Sequence, residues 1–471
     1  MPDFSVIVQD PTIRSLVQEN ILERAFHDAL FPRLLFRGEA SPQLWPLNVG
    51  DTMVFTGVGL MKPKLRPLTP GSDPVPSTYQ AEQWTAVALQ YADTIDTHMP
   101  TSINAIANLF LRNAQQLGLG AAQSVNRLAR NKLYNAAVSG WTVVDGSGFT
   151  GVSTIRVKRL NGLTRARRPD LALGSPVRYD SVSSNNKLPI HIFSSGADLV
   201  RNVIGYSPDT AGDEIGPGTI TLDGNVTAPD RAYVYAADAT SITRVGGGKK
   251  VDDVTSTDLL KLEDIRSAVA RFRTQNVPPQ PDGRYHCHLD PTSEAQIFAD
   301  DEWQRLLTSL PDYYMYREFA VGELLGCVFF RNSECPIAET VEGGLTATFS
   351  LDDPFAGELY NNGATSGSTG WTKIHRPLFV GQGGLYEYYQ DLTGLITDAG
   401  VTGKIAEPRI TNNSIEVFSE RIQLILRSPL NRLQDLVSTS WKWIGDFVFR
   451  TDSTTGDPAR YKRVHAIEHG E

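Results

Sequence analysis

Cysteine is scarce: Cys287, Cys327 and Cys335 are the three in 471 residues. An odd, widely spread set does not make a disulfide framework, so a reducing compartment is expected. Long apolar runs are missing as well. No stretch approaches the roughly 20 residues that a membrane-crossing helix needs, and the opening MPDFSVIVQDP lacks the basic start and apolar run of a signal peptide. Residence in the cytosol, or assembly there, with no membrane partner, is the expectation. Neither sign of charge dominates. Lys plus Arg number 44 against 53 Asp plus Glu, a net charge of −9 that excludes a basic, groove-filling nucleic-acid binder. Catalytic signatures are lacking too. There is no G-x-S-x-G elbow, GGGKK at 246–250 lacks the P-loop spacing, and Asp300, Asp301 and Glu302 fan around a helix axis instead of converging. No catalytic residue and no cofactor is expected.

What is present is a chain long enough for about three domains. Asp10 and Pro11 open an amphipathic helix carrying Ile13, Leu16, Val17, Ile21, Phe26 and Leu30, which either docks on its own domain or packs on a neighbouring subunit. Residues 50–98 read as a long β-hairpin with arms DTMVFTGVGL and EQWTAVALQYADTID. Its tip holds Pro63, Pro67, Pro70, Pro74 and Pro76, which remove backbone donors and stiffen the chain. Such a tip is either a loose surface loop or a preformed projection that lies on something else. From Thr101 to about residue 138 the period changes to that of one long helix, with Gly118 and Gly120 as candidate bends.

Residues 141–256 are β-rich and look like an inserted small domain. Turns are expected at Asp145-Gly146, Asn161-Gly162 and Asp223-Gly224. An α/β unit follows. Leu262, Ile265, Val269 and Phe272 share one helix face, Asn276 with Pro278-Pro279 stops that helix, RYHCHL is a strand, and Asp290-Pro291 starts a second helix with Ala295, Phe298, Trp303 and Leu306. Residues 343–420 return to Gly-rich β and loop character, and the remainder is mostly strand.

Two clusters are candidates for chemistry. His286 and His288 would share a strand face, and with Asp290 form an H-x-H-x-D string open to a metal reading. No further histidine completes it, and Asp290 is accounted for as a helix cap, so structural roles are favoured and no metal is expected. Arg156, Lys158, Arg159, Arg165, Arg167 and Arg168 gather positive charge at the start of the insertion. No aromatic residue accompanies them for base stacking, which favours salt bridges to an acidic neighbour over nucleic acid. Arg165, Arg167 and Arg168 are the candidate charge contacts.

The order of parts resembles the major capsid proteins of tailed bacteriophages, whose shell fold is shared with encapsulins and the herpesvirus capsid floor. PLTPGSDP at 67–74, LEDIRSAVARFRTQNVPP at 262–279, HLDPTSEAQIFADDEW at 288–303 and SPLNRLQDLVSTSWKW at 428–443 carry the likeness, which with the intervening elements covers about half the chain. The resemblance implies an α+β shell fold. Its parts would be an N-terminal arm (1–49), an extended β-hairpin loop (50–98), a peripheral domain with a spine helix (99–140), a β-rich insertion domain (141–256), an axial domain (257–430) and peripheral-domain C-terminal strands (431–471). Pro70 stands where the family's hairpin tip usually has an acidic residue, so a loop-tip salt bridge is not carried over.

The function implied is self-assembly into pentamers and hexamers of an icosahedral phage head enclosing double-stranded DNA. Lys62, Lys64, Arg66, Leu68, Gly71 and Trp84 on the loop, with Ile13, Leu16 and Phe26 on the arm, would then touch neighbouring copies. The implied partners are the chain itself, packaged DNA held without sequence preference at the inner surface, and portal, scaffolding and decoration proteins. Its place would be the virion, assembled in host cytoplasm. Two other readings remain open: an encapsulin-like nanocompartment shell, and a ligand-binding protein or enzyme built on the β insertion.

Overall fold

A computed structural model describes residues 35–45, 50–58, 64–77, 79, 81–98, 109–145, 148–168, 179–194, 197–228, 232–236, 241–248, 254–308, 323–337, 372–390, 409–411, 414–419, 421–427, 436–449 and 462–471. They are mainly β-strand, with four α-helices among the described residues. The chain divides into two compact units. One takes its described residues from 1–54, 85–130 and 386–448, the other from 55–84, 131–385 and 449–471. The helix Leu109–Ala137, 29 residues and so ~43 Å long, contains the boundary at residue 130.

The first unit is built on one sheet, in the order Ala40–Leu44, Leu385–Tyr389, Leu436–Val448, Ile422–Arg427, Ser414–Ser419, Arg409–Thr411, with Leu89–His98 also paired to Leu436–Val448. The long strand explains itself by period two. Val437, Thr439, Trp441, Trp443, Gly445 and Phe447 are buried while the residues between them are half-buried. Trp443 stacks on Phe447 (5.2 Å) and meets Tyr91 of the neighbouring strand (5.7 Å). Gly445 is required there, since a Cβ would lie 2.2 Å from the Tyr388 carbonyl oxygen. Two asparagines tie residues 109–130 of the helix to this unit: Asn113 donates to the Thr97 hydroxyl (2.7 Å), and the Asn126 side-chain oxygen accepts from the Phe36 N–H (2.8 Å).

The second unit holds two large sheets and the two-stranded pair Arg165–Arg167 with Tyr179–Ser181. The six-stranded one runs Trp141–Val143, Tyr233–Ala236, Leu188–Ser194, Ala197–Pro208, Gly218–Ala228, Phe149–Val157. A bridge between Val144 and Val157, with Asp145 N–H to Arg156 O (2.9 Å) and Lys158 N–H to Val143 O (3.0 Å), joins its first strand to its last. The sheet therefore closes on itself and leaves no long edge. Its interior is filled by alternate apolar residues, among them Ile155, Val157, Leu188, Ile190, Ile192, Val203, Ile220 and Val234.

The other sheet runs Ile242–Arg244, Val464–Gly470, Leu378–Val380, Tyr285–Leu289, Cys327–Arg331, Glu323–Leu324, with Ile374–His375 also on Val464–Gly470. Against it lies the helix Leu262–Thr274, whose Leu262, Ile265, Val269 and Phe272 are buried together with Tyr285, Cys287 and Ile467. Its end follows from the sequence. Asn276 adopts a positive φ of 54°, and the N–H groups of Asn276 and Val277 return to the carbonyls of Arg273 and Phe272, the Schellman closure.

Several expectations are corrected. The second hairpin arm is two strands, not one: Ala81–Val87 pairs with Thr52–Val58, Ala88 N–H closes the hairpin on Asp51 O (2.8 Å), and Leu89–His98 pairs instead with Leu436–Val448. Asp223-Gly224 is no turn. It lies inside Gly218–Ala228, where the register slips as a bulge and Asp223 accepts from Asn202. The helix expected through 291–306 breaks at Asp300, which is extended and accepts from the N–H groups of Leu262 and Glu302, while Ala295 is exposed. The boundaries shift too. Within 141–256, Ile242–Arg244 leaves the closed sheet and pairs with Val464–Gly470. Within 257–430, Ile422–Arg427 belongs to the first unit's sheet, and 431–471 is shared between units, because Val464–Gly470 pairs with Leu378–Val380. Residues 101–108, where the sequence reading starts the long helix, lie outside the described residues.

Candidate functional site

The hairpin tip is organised by its own sequence. Thr69-Pro70-Gly71-Ser72 forms a turn closed by Ser72 N–H to Thr69 O (3.1 Å), with the Ser72 hydroxyl on the same oxygen (2.8 Å). Pro70 fits the second position of a type II turn, and Gly71, at φ +86°, supplies the left-handed third position. Lys64 Nζ donates across the tip to Val75 O (3.1 Å). Apolar side chains stand in solvent: Leu65 is 88% exposed, Val75 70% and Leu68 55%.

Of the loop residues expected to touch a neighbour, Lys64, Arg66, Leu68 and Gly71 are on this exposed tip. Trp84 is not. It is buried, with its ring stacked 6.3 Å from Phe55, so it serves the hairpin's own packing. Lys62 and the arm residues Ile13, Leu16 and Phe26 lie outside the described residues. Leu65 and Val75 were not singled out in the sequence, although flanking prolines were the signal that could have found them.

The basic cluster turns inward on its own domain. Arg156 pairs with Asp145 (3.1 Å) and Asp209 (2.6 Å), Arg165 with Glu214 (3.4 Å), and Arg168 with Asp180 (3.3 Å). The acidic neighbour is thus intramolecular. Arg159 is buried with its guanidinium 5.3 Å from the Trp141 ring centre. Of Arg167 only the backbone, in the strand Arg165–Arg167, is described.

His286 and His288 do share a face, both rings packing on Phe330 at 5.0 and 5.4 Å, but His286 is bonded to Asp282 (3.0 Å) and His288 approaches Asn332. Asp290 caps the helix Pro291–Ala299 through the N–H groups of Thr292 and Ser293. Burial raises the Asp290 carboxyl, yet hydrogen bonds from His375 and Ser293 outweigh it and hold it down at about 2. Sequence reasoning missed that Ser293, His469, His375 and Asp290 meet. Ser293 is 0% exposed and donates its hydroxyl proton to Asp290, so no substrate reaches it as a nucleophile. Among the described residues no three His, Cys, Asp or Glu converge as a metal site. The thiols of Cys287, Cys327 and Cys335 are buried, and burial pushes Cys327 up to about 12.

No family model matches the chain, and no curated protein matches it. Solved structures do. The chain is similar to a chain of the capsid of Ralstonia phage GP4, at 12% identity over 91% of this chain and 86% of that one, with a TM-score of 0.45. It is also similar to a chain of the cyanophage Pam1 capsid asymmetric unit, at 8% identity over 93% and 92% with a TM-score of 0.48. A third likeness is to the capsid of cyanophage P-SCSP1u, at 10% identity over 92% and 87% with a TM-score of 0.43.

Proposed function

We propose that this chain is a major capsid protein that assembles with copies of itself, as pentamers and hexamers, into an icosahedral shell around double-stranded DNA, and that its place is the virion. The observation that carries the reading is the hairpin tip, whose Leu65, Leu68 and Val75 are exposed on a backbone already set by a Pro-Gly turn. A preformed tip loses little freedom when a neighbour covers it. Each of those side chains gains about 1.5–3 kcal/mol if fully covered. An interface of about 1,200–2,000 Å² per contact, repeated around a closed lattice, then adds weak terms into a stable particle.

Arg156, Arg165 and Arg168 of the insertion are engaged by Asp145, Asp209, Glu214 and Asp180, so in this reading the non-specific contact to packaged DNA is not assigned to them. The chemistry of the reading is physical: shape, apolar cover and ion pairs, with no bond made or broken.

Negative-stain microscopy of purified full-length protein tests it. Closed particles or capsomer rings are expected. A compact species that stays small at high concentration, with strands Thr52–Val58 and Ala81–Val87 already fully protected from hydrogen exchange, overturns it.

A further inference from the structure

The strand Val464–Gly470 is buried at every position, though three of its seven residues are His465, Glu468 and His469. Alternation sorts them. Glu468 faces Arg244 (2.8 Å) and Arg376 (2.9 Å). His465 and His469 face the helices, His465 against Phe272 and His469 against Ser293. His469 is in register with His375 of the short strand Ile374–His375, and their rings stack 5.4 Å apart at 17°.

The hydrogen bonds around this pair are one proton short. His375 Nδ1 donates to Asp290 Oδ2 (2.8 Å), because an ionised carboxylate only accepts. Ser293 has a single proton and gives it to Asp290 Oδ1, so its oxygen offers His469 Nε2 (2.7 Å) a lone pair. His469 Nδ1 lies 3.0 Å from Gly470 O, another acceptor. Neutral His469 therefore leaves one nitrogen facing an acceptor with no proton between them. A charged His469 satisfies both acceptors but places an imidazolium in full burial beside a second imidazole. Neither state is comfortable.

We propose that the strand Val464–Gly470 is an acid-released latch, closed at neutral pH over His375, Asp290 and Ser293 and opened when His469 takes a proton. Of the charged groups around it, the Asp290 carboxylate, reached through Ser293, favours the proton on the closed form, and the others are engaged elsewhere. Glu471 lies 3.6 Å from His375 Nε2 at the solvent edge and also pairs with Lys373, while Glu294 is taken by Arg331 and Glu468 by its two arginines. At the far end of the strand His465 bonds Thr243 (2.9 Å), near Arg271, whose charge opposes protonation there.

Burial, with His375 adding to it, outweighs the Gly470 carbonyl and the Asp290 carboxylate and holds His469 down at about 4, and burial with Arg271 holds His465 at about 3. Unfolded histidine titrates near 6.5, so an open strand binds protons that the closed strand refuses between those values. The closing free energy is complete above pH 6.5 and is lost as pH falls toward 4. The inference does not rest on the proposed function.

Hydrogen–deuterium exchange of full-length protein at pH 7 and pH 4.5, corrected for intrinsic rates, tests the latch. Protection of 464–470 should fall by roughly a hundredfold or more at pH 4.5, while strands Leu188–Ser194 and Gly218–Ala228 keep theirs. In His469→Asn the ratio of protection between the two pH values should shrink by an order of magnitude or more. An unchanged ratio, stronger protection in acid, or equal loss in the reference strands overturns the proposal. Should that variant fail to fold, exchange at the His469 C2 position reports its titration in the unmodified protein. A midpoint well below 6.5 supports the latch, and one at or above it ends the idea.

Discussion

Arg37 Nε and Nη2 both donate to Glu387 Oε1, at 3.0 and 2.6 Å, although 350 positions separate the two residues. Both are buried, and Arg421 Nη1 lies 2.8 Å from the other carboxylate oxygen. With Phe36 N–H on Asn126, this pair fixes the point at which residues 35–39 join the first unit. Removing Glu387 leaves the Arg37 charge buried without a carboxylate, which costs about 3–5 kcal/mol, whereas replacing both with apolar groups of similar volume costs far less, since the partly exposed Arg421 keeps access to water. Glu387→Leu should therefore lower the stability of full-length protein by that amount in urea titration, and Arg37→Met with Glu387→Leu should recover most of it.

The hairpin tip should separate folding from assembly. Leu65→Ser with Leu68→Ser alters side chains that are already in solvent, so the melting temperature should change little. Assembly should be lost or shifted to much higher concentration in sedimentation velocity. Unaltered assembly would remove the tip from the interface.

Two glycines predict opposite signs. Gly162 sits at φ +75°, and an added Cβ would lie 2.2 Å from Gly140 N, so Gly162→Ala should destabilise the second unit by at least about 2 kcal/mol. Gly120 is helical with open space around it, so Gly120→Ala should stabilise by about 0.5–1 kcal/mol. Thermal melts of both variants read the two signs directly.

Asp290 gives a second acid dependence, at lower pH than that of His469 and set in part by its bond from His375. Its folded value of about 2 lies below the unfolded value near 3.9, so the unfolded chain binds the proton first as pH falls. That stability, on the order of 2 kcal/mol, is complete above pH 4 and lost as pH drops through 2. Asp290→Asn keeps a helix cap but loses the charge, and should flatten the stability-versus-pH curve below pH 4.

The thiols should be silent. Cys287, Cys327 and Cys335 are buried, and a thiol held up at about 12 has almost no thiolate at pH 8. A colorimetric thiol reagent should find none of them in native protein and all three in denaturant.

The local signals were legible because their physics is local. Asn276 with its two prolines and Asp290-Pro291 each prescribe a backbone conformation within four residues, and they stand in the structure as a helix end and a helix start. The i, i+3, i+7, i+10 spacing of Leu262, Ile265, Val269 and Phe272 likewise names a buried face. Pairing over long distances was not legible. Alternation runs unbroken through Ala88, so nothing in 81–98 says that the first half pairs with Thr52–Val58 and the second with Leu436–Val448. Asp223-Gly224 has turn chemistry, but its neighbours Leu222 and Val226 are buried in the closed sheet and tertiary packing kept the strand going. The candidate site divides in the same way. Prolines pointed to the tip, whereas the inward turn of Trp84 depends on Phe55, and the meeting of His375 and His469 on a register no short window contains. Nothing local in VHAIEHG signals a strand buried at every position, since the cover over its histidines and glutamate comes from residues distant in sequence.

The place of Val464–Gly470 between Ile242–Arg244 and Leu378–Val380 has a consequence for synthesis. Both flanking strands leave the ribosome long before residue 464 does, so for the time that translation takes to cover the interval they wait with bare, sticky edges. The nascent chain is most in need of a chaperone during that interval, and slow codons placed between 381 and 463 would lengthen the exposure.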